Sequence, residues 1–187
     1  FPGFTAPKLL WVRKHEPDVF ARTAKVLLPK AYVGYRLTGE MVEEMSDASG
    51  TLWLDVGKRD WSDAALAATY MDRSFMPRLV EGSAAAGKIK PDLAARWGMA
   101  TPPVLAGGAG DNAAGAIGLG AIHANNAFVS LGTSGVLWAT TDRYAPNPRS
   151  SVHAFCHAIP ATWHQMGVIL SAASALGWWS GATKVAP

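Results

Sequence analysis

The chain has 187 residues, 49% of them hydrophobic and only 17% charged, which gives enough apolar material for a sizeable core and excludes intrinsic disorder. The formal net charge is +3, and the basic residues (Lys8, Arg13, Lys14, Arg22, Lys25, Lys30, Arg36) are scattered. They read as solvated helix faces, not as a nucleic-acid stripe. A lone cysteine, Cys156, excludes an internal disulfide framework and multi-cysteine metal sites, and it fits a reducing cytoplasm. No apolar run reaches membrane-spanning length.

Thr5-Ala6-Pro7 starts a helix that runs to His15, with Leu9, Trp11 and Val12 packing and Pro17 as its stop. Asp18 to Lys25 and Lys30 to Leu37 read as further helices, the second closed by Gly39. Ser46 to Thr51 reads as a polar loop leading into Leu52-Trp53-Leu54. Ser62 caps a helix through Tyr70, and Pro91 to Trp97 forms a short helix before Gly98. Pro103 to Ala106 is apolar and strand-like. A glycine turn and another helix follow. Ala127 to Leu131 and Val136 to Thr140 read as strands joined by Gly132-Thr133-Ser134-Gly135, a hairpin signal. Val152 to Ala158 and His164 to Leu170 read as strands, and Ser171 to Trp179 as a helix. The helical first part and sheet-rich last part meet near Ala121 to Asn125.

The chemistry concentrates in Gly107-Gly108-Ala109-Gly110-Asp111-Asn112-Ala113-Ala114-Gly115. A strand, a glycine turn and a helix N-terminus make a phosphate cradle, because the first helical N–H groups are unpaired and carry partial positive charge. The same glycines match a dinucleotide fingerprint. That fold, however, needs a ribose-binding acid about 20 residues further on, and no Asp or Glu lies between Asp111 and Asp142. Asp111 would also repel a pyrophosphate. A carboxylate at a helix N-terminus is instead favoured as the anion, able to take the proton of a substrate hydroxyl as it attacks phosphorus. Asn112 offers a hydrogen bond to a second hydroxyl. A purely structural reading, Asp111 as a helix cap, stands beside this one. About twenty residues later, Gly132, Thr133 and Ser134 offer N–H groups and hydroxyls suited to phosphate oxygens. The pair of loops suggests an acceptor hydroxyl on one side and a nucleotide phosphate on the other.

These residues resemble the FGGY carbohydrate kinases. Gly3-x-Thr5-x-x-Lys8-Leu9-x-Trp11-Val12-x-Lys14-His15 is similar to a signature of that family. Gly110-Asp111-Asn112 and Leu131-Gly132-Thr133-Ser134 follow in the family's usual order. Leu27 to Lys30, Tyr35 to Glu40, Ser46 to Asp55 and His153 to Ala158 are similar to its bacterial xylulokinase branch. Two departures are Ala31, where that branch often carries Asp, and Ala109, where it tends to carry Gly. The resemblance implies an α/β fold of the actin/hexokinase-like (ribonuclease H-like) two-domain type. Residues 1–121 would end the sugar-binding domain and 122–187 would begin the nucleotide-binding one. It implies transfer of the ATP γ-phosphoryl group, with Mg2+, to D-xylulose, giving D-xylulose 5-phosphate. Asp111 would be the general base, Asn112 a sugar contact, and Gly132, Thr133 and Ser134 the phosphate contacts, with no metal ligand assigned. Another pentulose, a sugar acid or glycerol is an alternative acceptor. A non-catalytic segment and a dehydrogenase are alternatives of other classes. The implied partners are sugar and ATP, without nucleic acid or membrane; a homodimer of the full-length protein is also open, and the compartment is the cytoplasm.

Between Pro103 and Pro187 only Asp111, Asp142, Arg143, Arg149 and Lys184 are charged, so this segment is expected to pack against elements outside the chain. The first residue, Phe1, points the same way, and the sequence reads as the middle of a longer protein, inactive alone. The family's Asp-x-Gly-Thr loop, its N-terminal sugar contacts and its C-terminal adenosine-binding glycines have no counterpart here. His153 and His157 share a spacing of four, but with no third ligand nearby they read as core or hydrogen-bonding residues. Cys156 reads as inert packing. Trp178 and Trp179 read as packing against absent partners, and Lys8 and Trp11 as structural.

Overall fold

The structure, a computed structural model, describes residues 3–186. Helix α1 (Thr5–His15) is followed by a single short helix, α2 (Pro17–Ala21), not the longer one expected to Lys25. The chain leaves α2 because extended backbone pairs elsewhere: Val26 N–H donates to Phe75 O at 2.9 Å, and Lys25 Nζ bonds Ser74 O. Helix α3 (Pro29–Thr38) begins on proline and stops at Gly39, whose φ of 87° allows its N–H to close on Tyr35 O.

Strand β1 (Val42–Glu44) is concealed in the sequence by its two acids. The expected polar loop after it is helical instead, as α4 (Met45–Ala48) and a 3-10 turn (Ser49–Thr51). The cause is Glu44, whose carboxylate accepts from the N–H groups of Ser46 and Asp47 and so caps the helix. Strands β2 (Leu54–Asp55) and β3 (Asp60–Trp61) form a small ribbon. Helix α5 (Asp63–Ala67) has the expected Ser62 cap, with Ala65 N–H donating to Ser62 Oγ at 3.3 Å. It ends before Tyr70, which lies in the left-handed region at φ 62°. Strand β4 (Arg78–Val80) pairs in parallel with β1, and β5 (Ala85–Lys88) pairs antiparallel with β6 (Val104–Ala106) around helix α6 (Pro91–Arg96).

Helix α7 (Asp111–Gly118) leads to an antiparallel sheet in the order β7-β8-β10-β9. Its strands are β7 (Ala127–Leu131), β8 (Gly135–Thr141), β9 (His153–Cys156) and β10 (Trp163–Ile169), followed by helix α8 (Ala173–Thr183). The hairpin between β7 and β8 falls where Gly132 to Gly135 predict it.

Two cores support the site. One gathers Ala6, Met45, Ala48, Trp53, Leu54, Trp61, Leu66 and Cys156 between the first helices and β9. The other packs Ala113 and Ala116 of α7 on Trp138 and Met166 of the sheet; small residues on α7 let its backbone lie close to the strands. Leu9 packs on the first core as expected, whereas Trp11 stands 55% exposed. Leu131, Leu137 and Ile169 of the sheet, and Trp178 and Trp179 of α8, are exposed too. That is the apolar surface implied by the low charge of this segment. Among the described residues no helix is long and apolar enough to cross a membrane.

Candidate active site

The glycine turn between β6 and α7 is fixed by backbone contacts that tolerate no side chain. Gly107 N–H donates to Ala84 O and Gly108 N–H to Gly82 O, each at 2.9 Å. A Cβ on Gly107 would stand 2.6 Å from Glu81 O, and one on Gly82 would stand 2.6 Å from the carbonyls of both Gly108 and Ala158. Gly108 adopts a φ of 79°, a region that favours glycine. The turn delivers Gly110 as the cap residue and Asp111 as the first residue of α7. Asp111 is exposed, and its Oδ1 accepts from Asn112 N–H at 2.7 Å and Asn112 Nδ2 at 3.2 Å. Its Oδ2 forms no hydrogen bond with the described residues.

Behind Asp111 lies a charged cluster that the sequence reading passed over. Lys30 Nζ donates to Gly107 O at 3.1 Å and stands 3.4 Å from Glu43, 3.9 Å from Glu44 and 3.8 Å from Asp47. Glu43 and Glu44 are fully buried. Ser46 Oγ donates to Glu44 and accepts from Gly110 N–H at 2.8 Å, which ties α4 to the glycine turn. Burial pushes the Glu43 carboxyl up to about 7, against the opposing pull of Lys30. Burial likewise raises Glu44. Asp47 is raised first by burial and further by the charge of Asp111, while Lys30 pulls it down. The legible signal was a pair of acids within the apolar run Met41-Val42-Glu43-Glu44-Met45, beside a lysine at the start of a helix.

Two cavities meet at Asp111 and Asn112. One, about 160 Å³, is also lined by Ser46, Asp47, His164 and Met166. The other, about 270 Å³, runs between α7 and β7 to Ser130. Gly132, Thr133 and Ser134 line neither cavity but begin two residues beyond Ser130. In that exposed turn the Gly132 and Thr133 carbonyls are taken by the N–H groups of Ala173 and Ala172, at 3.0 and 2.8 Å. The carbonyls therefore face α8. The Thr133 and Ser134 hydroxyls form no hydrogen bond with the described residues.

The two other histidines of the sequence reading lie on β9 or just after it. His157 is fully buried; its Nδ1 accepts from Ile159 N–H and its Nε2 donates to Ala121 O, both at 3.2 Å. This is the hydrogen-bonding role expected of it. His153 packs in a tilted contact with Phe155. Cys156 is buried and pushed up to about 11 by that burial, which makes it a poor nucleophile. Among the described residues no three His, Cys, Asp or Glu side chains gather as metal ligands.

Residues 1–118 match the N-terminal domain of the FGGY family of carbohydrate kinases, and the chain belongs to that family. It is 59% identical over 177 residues to the xylulose kinase of Escherichia coli, covering 95% of this chain and 36% of that protein. It is 54% identical to the xylulose kinase of Klebsiella pneumoniae, covering 99% of this chain and 38% of that one. The crystal structure of a xyloylose kinase from Brucella ovis superposes with a TM-score of 0.97 at 59% identity, over 100% of this chain and 39% of that one. The fold is that of the FGGY carbohydrate kinases, actin/hexokinase-like, and the chain spans just over a third of the length of the curated relatives it matches.

Proposed function

We propose that the full-length protein carrying this chain phosphorylates D-xylulose with ATP to give D-xylulose 5-phosphate. The observation that carries this reading is that Asp111 and Asn112 line the cleft between α7 and β7, whose β7 wall ends at Ser130, two residues before the Gly132-Thr133-Ser134 turn. The names of the relatives support D-xylulose as the acceptor. Residues 1–121 would belong to the sugar-binding domain and residues 122–187 to the nucleotide-binding one.

In this reading the acceptor hydroxyl approaches Oδ2 of Asp111, the oxygen that Asn112 leaves open. Its proton passes to that carboxylate as its oxygen attacks the γ-phosphorus, and ADP leaves in line. Asn112 serves two ends: its amide nitrogen orients Asp111, and its carbonyl oxygen accepts from a second sugar hydroxyl. Thr133 and Ser134 turn their hydroxyls to the nucleotide phosphates, and Gly132 keeps the turn free of a side chain; the Gly132 N–H is held by Ser134 O at 2.9 Å, and the Gly132 and Thr133 carbonyls by the N–H groups at the start of α8. Mg2+ would neutralise phosphate charge when bound. The single, buried Cys156 supports a cytoplasmic setting.

The test is ATP-dependent phosphorylation by the full-length protein across D-xylulose, other pentuloses, gluconate and glycerol. The highest kcat/KM for D-xylulose, with the 5-phosphate as product, is expected. Preference for another acceptor, or no turnover of any, overturns the reading.

A further inference from the structure

Histidine 164 is the one buried side chain of the described residues whose polar atoms all lack a partner: neither Nδ1 nor Nε2 forms a hydrogen bond, at 2% exposure. Buried polar groups are almost always satisfied, so the exception calls for a cause. Its neighbours on the sheet cannot supply one. In register His164 lies between Thr140 on β8 and Phe155 on β9. The Thr140 hydroxyl is already bonded to Trp138 Nε1 and to Ala121 O. Phe155 presents an edge-on ring at 5.8 Å. Trp138 stacks on the imidazole face at 3.6 Å and 15°, which fixes the ring plane and leaves only the rim for polar contact. His157, on the same face, shows what a structural histidine here looks like, with both nitrogens engaged.

The imidazole lines the cavity of about 160 Å³ that Asp47, Asp111 and Asn112 also line. The polar lining is short of donors. The two carboxylates only accept, the Ser46 hydroxyl is committed to Glu44 and Gly110, and the Asn112 amide spends one of its two N–H donors on Asp111 Oδ1 at 3.2 Å. A polyol with several hydroxyls that donate to carboxylates still has lone pairs to satisfy, and an imidazole N–H supplies a donor beyond the one left on Asn112. Burial, reinforced by His157 and His153, pushes His164 down to about 3, so it meets a ligand as an uncharged ring with one donor and one acceptor.

We infer that His164 binds the acceptor polyol directly, giving a hydrogen bond to a sugar hydroxyl in the cavity it shares with Asp111. It is a specificity-determining residue, and its role rests on the kinase reading above.

Two measurements on the full-length protein test this. The first follows the His164 ring nitrogens by 15N NMR as D-xylulose is added without nucleotide; a shift is expected. The second compares His164→Phe, which keeps a flat ring against Trp138, with His164→Gln, which restores a donor. His164→Phe is expected to raise the KM for D-xylulose about tenfold, the size of one lost hydrogen bond to a buried partner. The KM for ATP should hold within about twofold, and His164→Gln should recover part of the loss. Unmoved ring resonances together with an unchanged sugar KM in His164→Phe, in a protein that turns over D-xylulose, overturn the inference and leave an enclosed water as the partner. Ring resonances that move without any turnover uphold His164 as a polyol contact and overturn the kinase reading. Neither a shift nor turnover overturns both. Should His164→Phe fail to fold, the NMR titration of the unaltered protein decides.

Discussion

Glu43→Gln isolates the electrostatic cost of building the floor of this site. In the folded protein Glu43 is buried beside Lys30, and burial carries its carboxyl from 4.5 to about 7. A folded-state value above the unfolded one means the fold holds the proton more tightly. The contribution to stability is therefore full below pH 4.5, is lost as pH rises through about 7, and stays flat above that. A rise of this size corresponds to about 3 kcal/mol between the two ends of the window. Glutamine keeps the acceptor that receives Glu44 N–H at 3.0 Å and has no charge to bury. The difference in unfolding free energy between Glu43→Gln and the unaltered protein should thus move in favour of the variant by about 3 kcal/mol from pH 4.5 to pH 8. Urea unfolding of the two full-length proteins at several pH values reads this directly. Parallel pH profiles, with a constant gap, would refute the argument that Glu43 is a desolvated carboxyl.

Gly107→Ala places a methyl group 2.6 Å from Glu81 O and 3.0 Å from Val80 Cγ2, which should destabilise the protein by about 1–3 kcal/mol in thermal or urea unfolding. Arg59 forks onto Glu81 at 2.9 and 2.6 Å and donates to Thr162 O at 3.0 Å, joining the β2–β3 ribbon to the sheet. Arg59→Lys loses the paired geometry and should cost about 1–3 kcal/mol by the same measurement. A joint Thr133→Ala, Ser134→Ala variant should raise the KM for ATP several-fold and leave the KM for D-xylulose unchanged in steady-state kinetics.

The parts of the fold that were legible in the sequence are those where local chemistry decides. Pro29 and Gly39 bound α3, Ser62 caps α5, and Gly132 to Gly135 turn the β7–β8 hairpin. The parts that were hidden depend on distant partners. Strand β1 is a strand because β4 pairs with it, although its acids suggest a surface. The stretch from Ser46 to Thr51 is helical because Glu44 caps it, a role hidden in the sequence because Glu44 itself ends a strand. The loop carrying Asp111 and Asn112 could be read from its glycines. For Lys30, Glu43, Glu44, Asp47 and His164 the sequence holds only the hint of two acids in an apolar run, since the fold alone brings Lys30 to the acids and His164 to the cavity of Asp47.

The central claim is that Asp111 accepts the proton of the attacking hydroxyl. Asp111→Asn retains an oxygen for the two Asn112 contacts and removes only the base. Steady-state kinetics of the full-length variant with D-xylulose and ATP should show kcat lowered by about 10²–10⁴-fold, with the sugar KM within a few-fold of the unaltered protein. A kcat within a few-fold of the unaltered value would contradict the account.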